Sequence, residues 1–110
     1  ILLPGNPQDG SSVMVAEPGA ELSCYSVNHG AGRRMSRTAA NKSLDQNEID
    51  ASFDEKDILT NCRNYPRDEA PRAYKDFEAV LDSVKIAGLA SEVARLKARF
   101  VIKDGDKADD

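Results

Sequence analysis

The chain has 110 residues, 40 % of them hydrophobic, and a formal net charge of −4. That length suits one domain or part of one, and no apolar run approaches the roughly 20 residues of a membrane span. No stretch reads as a signal peptide, so the expectation is a cytoplasmic protein with no membrane partner. Trp is absent and aromatics make up only 5 %, so a core must be packed from aliphatic side chains. Cys24 and Cys62 read as reduced, structural thiols. One His with two isolated Cys makes a poor zinc site.

In chain order, Ile1-Leu2-Leu3 reads as a strand entering from upstream, as in a piece of a longer protein. Residues 4–12, with Pro-Gly, Asn-Pro and Asp-Gly, predict a loop. Residues 12–16 predict a strand, residues 17–20 a turn, and residues 21–26 a second strand that pairs with the first as a hairpin. Residues 28–32 form a tight glycine loop. Residues 33–44 can be helical, and residues 44–54 predict a second helix with Asp45 or Asn47 as its N-cap. A short strand is expected over 58–62 and an irregular polar loop over 64–71. Residues 73–87 carry the clearest helical pattern, with Phe77, Val80, Leu81 and Val84 on one face, Pro71 ahead and Gly88 behind. Residues 95–103 alternate as a half-buried strand, and residues 104–110 read as a disordered acidic tail. There are no repeats. The fold class is α+β, with strands and helices interspersed.

Charge is spread unevenly. Residues 22–44 hold no acid but contain Arg33, Arg34, Arg37 and Lys42, whereas residues 45–57 hold six acids and one Lys. A basic island in an acidic chain fits one local anionic ligand better than a surface that coats nucleic acid. An ordinary solvated helix face is the alternative.

The chemistry concentrates in Asn28-His29-Gly30-Ala31-Gly32-Arg33-Arg34-Met35-Ser36-Arg37, which contains the single His. Glycines let backbone approach a ligand closely, and a following helix start offers free N–H groups to an anion. Arg33 and Arg37, four apart, would share a helix face, and their guanidinium groups suit phosphate. A neutral imidazole beside such a cradle can attack phosphorus. Read alone, the same residues are also compatible with a surface His in a glycine turn.

The segment His-Gly-Ala-Gly-Arg-x-Met-Ser-Arg at residues 29–37 closely resembles the signature of RtcB-type RNA ligases. Three further stretches agree in order: the Pro4-Gly5-Asn6-Pro7-Gln8-Asp9-Gly10-Ser11 loop, Glu69-Ala70-Pro71-Arg72-Ala73-Tyr74-Lys75, and Val101-Ile102-Lys103. The resemblance spans residues 4–103 and implies the C-terminal part of the ligase fold, not a complete domain by itself. Departures are Asn6 and Ser12 where many relatives have Ser and an apolar or aromatic residue, and Asp104 where relatives commonly have Gly.

The resemblance implies a GTP-dependent ligase that joins RNA 3′-phosphate or 2′,3′-cyclic phosphate ends to 5′-hydroxyl ends, in tRNA splicing or RNA repair. His29 would carry GMP covalently. Gly30, Ala31 and Gly32 would approach the ribose, and Arg33 the phosphates or the RNA end. Asn6 and Ser11 would hold the guanine edge, Tyr74 would line the base pocket, and Lys103 would donate to the guanine oxygen that adenine lacks. Arg37 is a candidate RNA or phosphate contact. Each of Asn6, Ser11, Tyr74 and Lys103 also has a purely structural reading, as turn former, helix anchor or solvated strand end. The two manganese ions the resemblance implies would be held by residues upstream, with no metal ligand in this chain, so these 110 residues alone are expected not to ligate. A monomer is expected, with archease as a partner the resemblance suggests. The competing reading is a non-catalytic nucleotide- or RNA-binding module derived from such a ligase.

Overall fold

The structure, a computed structural model, describes residues 1–104. Strand β1 (Leu2–Asn6) turns into β2 (Gly10–Ala16), and β4 (Ala90–Leu96) pairs with the other edge of β2, giving an antiparallel sheet of order β1-β2-β4. Between β2 and β4 come helices α1 (Arg37–Ser43), α2 (Gln46–Glu55) and α3 (Phe77–Ile86), with short 3-10 turns at Pro18–Ser23, Arg67–Glu69 and Pro71–Ala73. A second, parallel pairing joins β3 (Leu59–Thr60) to β5 (Phe100–Val101). The α+β class is therefore as expected. No helix among the described residues is long and apolar enough to cross a membrane.

The hairpin differs from expectation. Residues 4–12 are not a loop: β1 runs into them, and the turn is confined to residues 7–9. Asn6 closes that turn, with Oδ1 accepting from the N–H groups of Gln8 (3.0 Å) and Asp9 (2.8 Å) and Nδ2 donating to Asp9 Oδ2 (2.8 Å). This is an Asx-type turn, in which a short amide side chain substitutes for backbone. Gly10 follows at φ +86°, where a Cβ would meet the Leu96 carbonyl at 1.9 Å, so no side chain fits.

Residues 21–26 do not form a strand. Pro18 starts a 3-10 turn, Leu22 is exposed, and Cys24 and Tyr25 both adopt positive φ. The partner of β2 on that side is β4 instead. Cys24 and Cys62 are both free.

Helix starts follow side-chain caps. Ser36 accepts from Ala39 N–H (3.0 Å), Asp45 from Asn47 N–H (2.9 Å) and Asp76 from Ala79 N–H (3.3 Å). Consequently α1 begins at Arg37, not at residue 33, and α3 at Phe77, not at residue 73. Ahead of α1 and α3, Arg33 and Tyr74 form an antiparallel bridge, just after the 3-10 turn Pro71–Ala73.

The alternation over residues 95–103 does not give one strand. The chain leaves the first sheet after Leu96 and joins β3, with the Leu59 N–H donating to the Arg99 carbonyl at 2.9 Å. Leu96, Phe100 and Ile102 are exposed rather than buried. Of the expected strand over 58–62, only Leu59–Thr60 is paired. The tail expected over 104–110 lies outside the described residues beyond Asp104.

Two cores result. Leu3, Met14, Ala31, Phe77, Leu81, Val84 and Ala90 form one between sheet and α3, and Ile49, Phe53, Ile58, Tyr65 and Ala70 form the other around α2. The radius of gyration, 15.7 Å, exceeds the roughly 13 Å of a single compact body this long. Ser12, fully buried in β2, donates its hydroxyl to Glu92, which Arg95 also binds at 2.9 Å. Arg95 further reaches Glu78 (2.7 Å) and lies over the Phe77 ring at 5.1 Å, tying α3 to β4. In the second core Tyr65 stacks on Phe53 at 4.4 Å, and its buried hydroxyl meets no partner among the described residues.

Phe77→Ala should lower stability by about 3–5 kcal/mol, read by urea unfolding under circular dichroism. Tyr65→Phe should leave stability unchanged or raise it by about 1 kcal/mol, because it deletes an unsatisfied polar group; a clear loss would mean the hydroxyl is bonded in solution.

Candidate functional site

The glycine loop is held from both sides by backbone. Ala31 N–H donates to the Pro4 carbonyl (3.0 Å), Lys75 N–H to the Gly32 carbonyl (2.9 Å), and Arg34 N–H to the Ala73 carbonyl (3.0 Å). Ala31 is buried in the first core, which pins the loop's midpoint. Gly32 sits at φ +82°, the left-handed region that glycine reaches without strain. The Asn28 amide donates to the Gly30 carbonyl (2.8 Å). The loop thus lies between the β1 edge and the segment leading to α3.

Four of the residues the resemblance singled out converge. Asn6, Ser11, Tyr74 and Lys103 line one open cleft of about 410 Å³. The Arg33 guanidinium stacks over the Tyr74 ring at 5.1 Å, its Nε bonded to the Met35 carbonyl (3.2 Å). Its Nη1 and Nη2 atoms are buried and meet no acceptor among the described residues. Leaving charged donors unsatisfied is costly. Asn6 has both lone pairs of its oxygen committed to the turn, leaving one Nδ2 hydrogen for the cleft.

The structure places other residues differently. His29 is exposed, makes no hydrogen bond among the described residues, and lines neither this cleft nor the next groove. Arg33 and Arg37 do not share a helix face, because Arg33 precedes α1. Arg37 instead pairs with Glu69 (2.6 Å) and Asp68 (3.1 Å). Among the described residues no group of three or more His, Cys, Asp or Glu side chains could hold a metal ion. The described residues therefore do not by themselves fit the manganese ions the resemblance implies.

Two residues escaped sequence reasoning. Glu69 is the hub of the cluster: Tyr74 Oη donates to its Oε2 (2.6 Å), Lys103 Nζ lies 3.7 Å from the same oxygen, and Arg37 donates to Oε1. Burial works against the Glu69 charge, but the hydrogen bonds from Tyr74 and Arg37, helped by Lys103, outweigh it and hold the carboxyl below its usual range. Burial and the Glu69 contact together push the Tyr74 phenol up. Lys75 is the second. With Gly30, Ala31 and Gly32 it lines an open groove of about 640 Å³ against α3, and it forms no ion pair among the described residues. The only signal for either was membership of the Glu-Ala-Pro-x-x-Tyr-Lys stretch.

Residues 1–104 match the family model described as tRNA-splicing ligase RtcB. The chain is 35 % identical over 106 residues to the tRNA-splicing ligase RtcB of Methanopyrus kandleri, covering 94 % of this chain and 11 % of that protein. It is 34 % identical over 106 residues to that of Methanococcus maripaludis, covering 94 % and 22 %. With the RNA-splicing ligase RtcB of Mycobacterium tuberculosis it shares 35 % over 98 residues, covering 87 % and 22 %. The chain therefore spans between 11 % and 22 % of the length of these relatives.

Because Glu69 has a lowered folded-state pKa, its stabilising contribution is present above the unfolded carboxyl range and is lost as pH falls through the folded value. Thermal melts from pH 7 down to about 3 should therefore fall more steeply for the parent than for Glu69→Gln below about pH 4.3, the unperturbed Glu value. Parallel curves would mean the cluster does not hold the carboxylate in solution.

Proposed function

Because the chain belongs to the tRNA-splicing ligase RtcB family, we propose that it supplies the nucleophile and the guanine-side surface of a GTP-dependent RNA ligase. The observation that carries this is the buried Arg33 guanidinium, short of acceptors and stacked on Tyr74, a few residues after His29 on a backbone-clamped glycine loop.

His29 attacks the α-phosphorus of GTP, forming an N–P bond while pyrophosphate leaves. GMP then passes to an RNA 3′-phosphate and the N–P bond breaks; a 2′,3′-cyclic end is first opened to the 3′-phosphate. The RNA 5′-hydroxyl attacks the activated 3′-phosphate, gives up its proton, and GMP departs. Arg33 offsets charge on the phosphate oxygens, and an exposed His29 on a short loop has freedom to reach both GTP and RNA. The base lies in the cleft of Asn6, Ser11, Tyr74 and Lys103, where Lys103 offers a donor to the guanine oxygen. Ligands for manganese lie outside these residues, so residues 1–104 alone do not ligate. The biological setting is tRNA splicing or RNA repair.

The test uses the full-length gene product, GTP labelled at the α-phosphate, and manganese. Label should stay on denatured protein with the acid-labile, alkali-stable behaviour of a phosphoramidate, and His29→Ala should abolish it. A folded, metal-loaded parent that takes up no label would sink the ligase mechanism and leave a nucleotide- or RNA-binding module in its place.

A further inference from the structure

Glu69 does not line the 410 Å³ cleft, yet it holds two of its polar side chains, Tyr74 and Lys103, beside Asn6, Ser11 and Lys97. Its acceptor capacity is largely used: Arg37 takes Oε1, while Tyr74 bonds Oε2 and Lys103 approaches it. Little remains for reading a base directly. Its charge is also what keeps Lys103 in place. Lys103 is a long, flexible side chain, and Arg37, which shares the Glu69 carboxylate, is a cation that would repel it. Removing the carboxylate would free the ammonium to turn into solvent and leave the Tyr74 hydroxyl without its strongest partner.

Resting on the guanine-cleft reading above, we propose that Glu69 is a positioning residue for nucleobase selection. It anchors the Lys103 ammonium so that the cleft presents a fixed donor. A purine with an oxygen at position 6 accepts from that donor; one with an amino group there presents a donor against it. Glu69 therefore acts on which nucleotide binds, through Lys103, without touching the nucleotide.

The experiment is calorimetric binding of GTP and of ATP to the full-length gene product carrying His29→Ala, in which no adduct forms. On that background, Glu69→Gln should weaken GTP by about tenfold or more, the scale of a charge-assisted hydrogen bond, and leave ATP nearly unchanged. The Glu69→Gln/Lys103→Gln pair should bind GTP no worse than Lys103→Gln alone. A merely structural role would weaken both nucleotides in parallel, or add to the Lys103→Gln loss; either result overturns the proposal. Glu69→Asp, which keeps the charge but shortens the reach, should fall between parent and Glu69→Gln. If Glu69→Gln does not fold, an Asp variant with parental GTP preference overturns it equally. GTP that fails to bind the His29→Ala parent sinks the ligase reading itself, whereas a GTP preference that ignores Glu69 sinks this inference alone.

Discussion

The Ala31 N–H reaches the Pro4 carbonyl at 3.0 Å, and on the loop's other side the Gly32 carbonyl accepts from Lys75 N–H at 2.9 Å. Those bonds make a glycine loop behave as an inserted strand. Backbone N–H and C=O groups taken from water need partners, and at the buried Ala31 and beside it both neighbours supply them. The arrangement also explains why neither α1 nor α3 extends back to Arg33 or Tyr74. Arg33 and Tyr74 are used up in the bridge between them, so α1 and α3 begin only after the Ser36 and Asp76 caps.

Electrostatics then sorts the basic island. Arg37 is drawn to Asp68 and Glu69, Lys103 approaches Glu69, and Arg33 packs flat on Tyr74 with its terminal nitrogens unsatisfied. Of these cations, Arg33 is the one whose bonding is left incomplete in the interior. A basic cluster that looked uniform along the chain therefore has different roles in space, with one of its members, Arg37, neutralised by a carboxylate pair.

Local patterns were read correctly where a side chain closes its own hydrogen bond and misread where a distant strand decides. The Asp45 cap and the Phe77, Leu81 and Val84 face were legible because capping and helical spacing are local. The hairpin partner of β2 was not, because residues 21–26 alternate as a strand would, and only the competing pairing with β4 and the positive φ at Cys24 and Tyr25 exclude it. The alternation over residues 95–103 failed for a related reason. Period 2 shows that a segment is extended, but not that it stays in one sheet, and here the chain changes partner after Leu96.

The family and the chemical inventory of the site were determined by the sequence: His29 between polar and glycine neighbours, the arginines after it, and the Tyr74 and Lys103 stretches are all short-range signals. Tertiary structure alone decided what those groups do to each other. Glu69 became a hub and Arg37 an ion-pair partner because chain reversals bring residues 31 and 32 positions apart within bonding distance. Hydrogen bonds and charges act over a few ångströms of space, and a sequence records only distance along the chain.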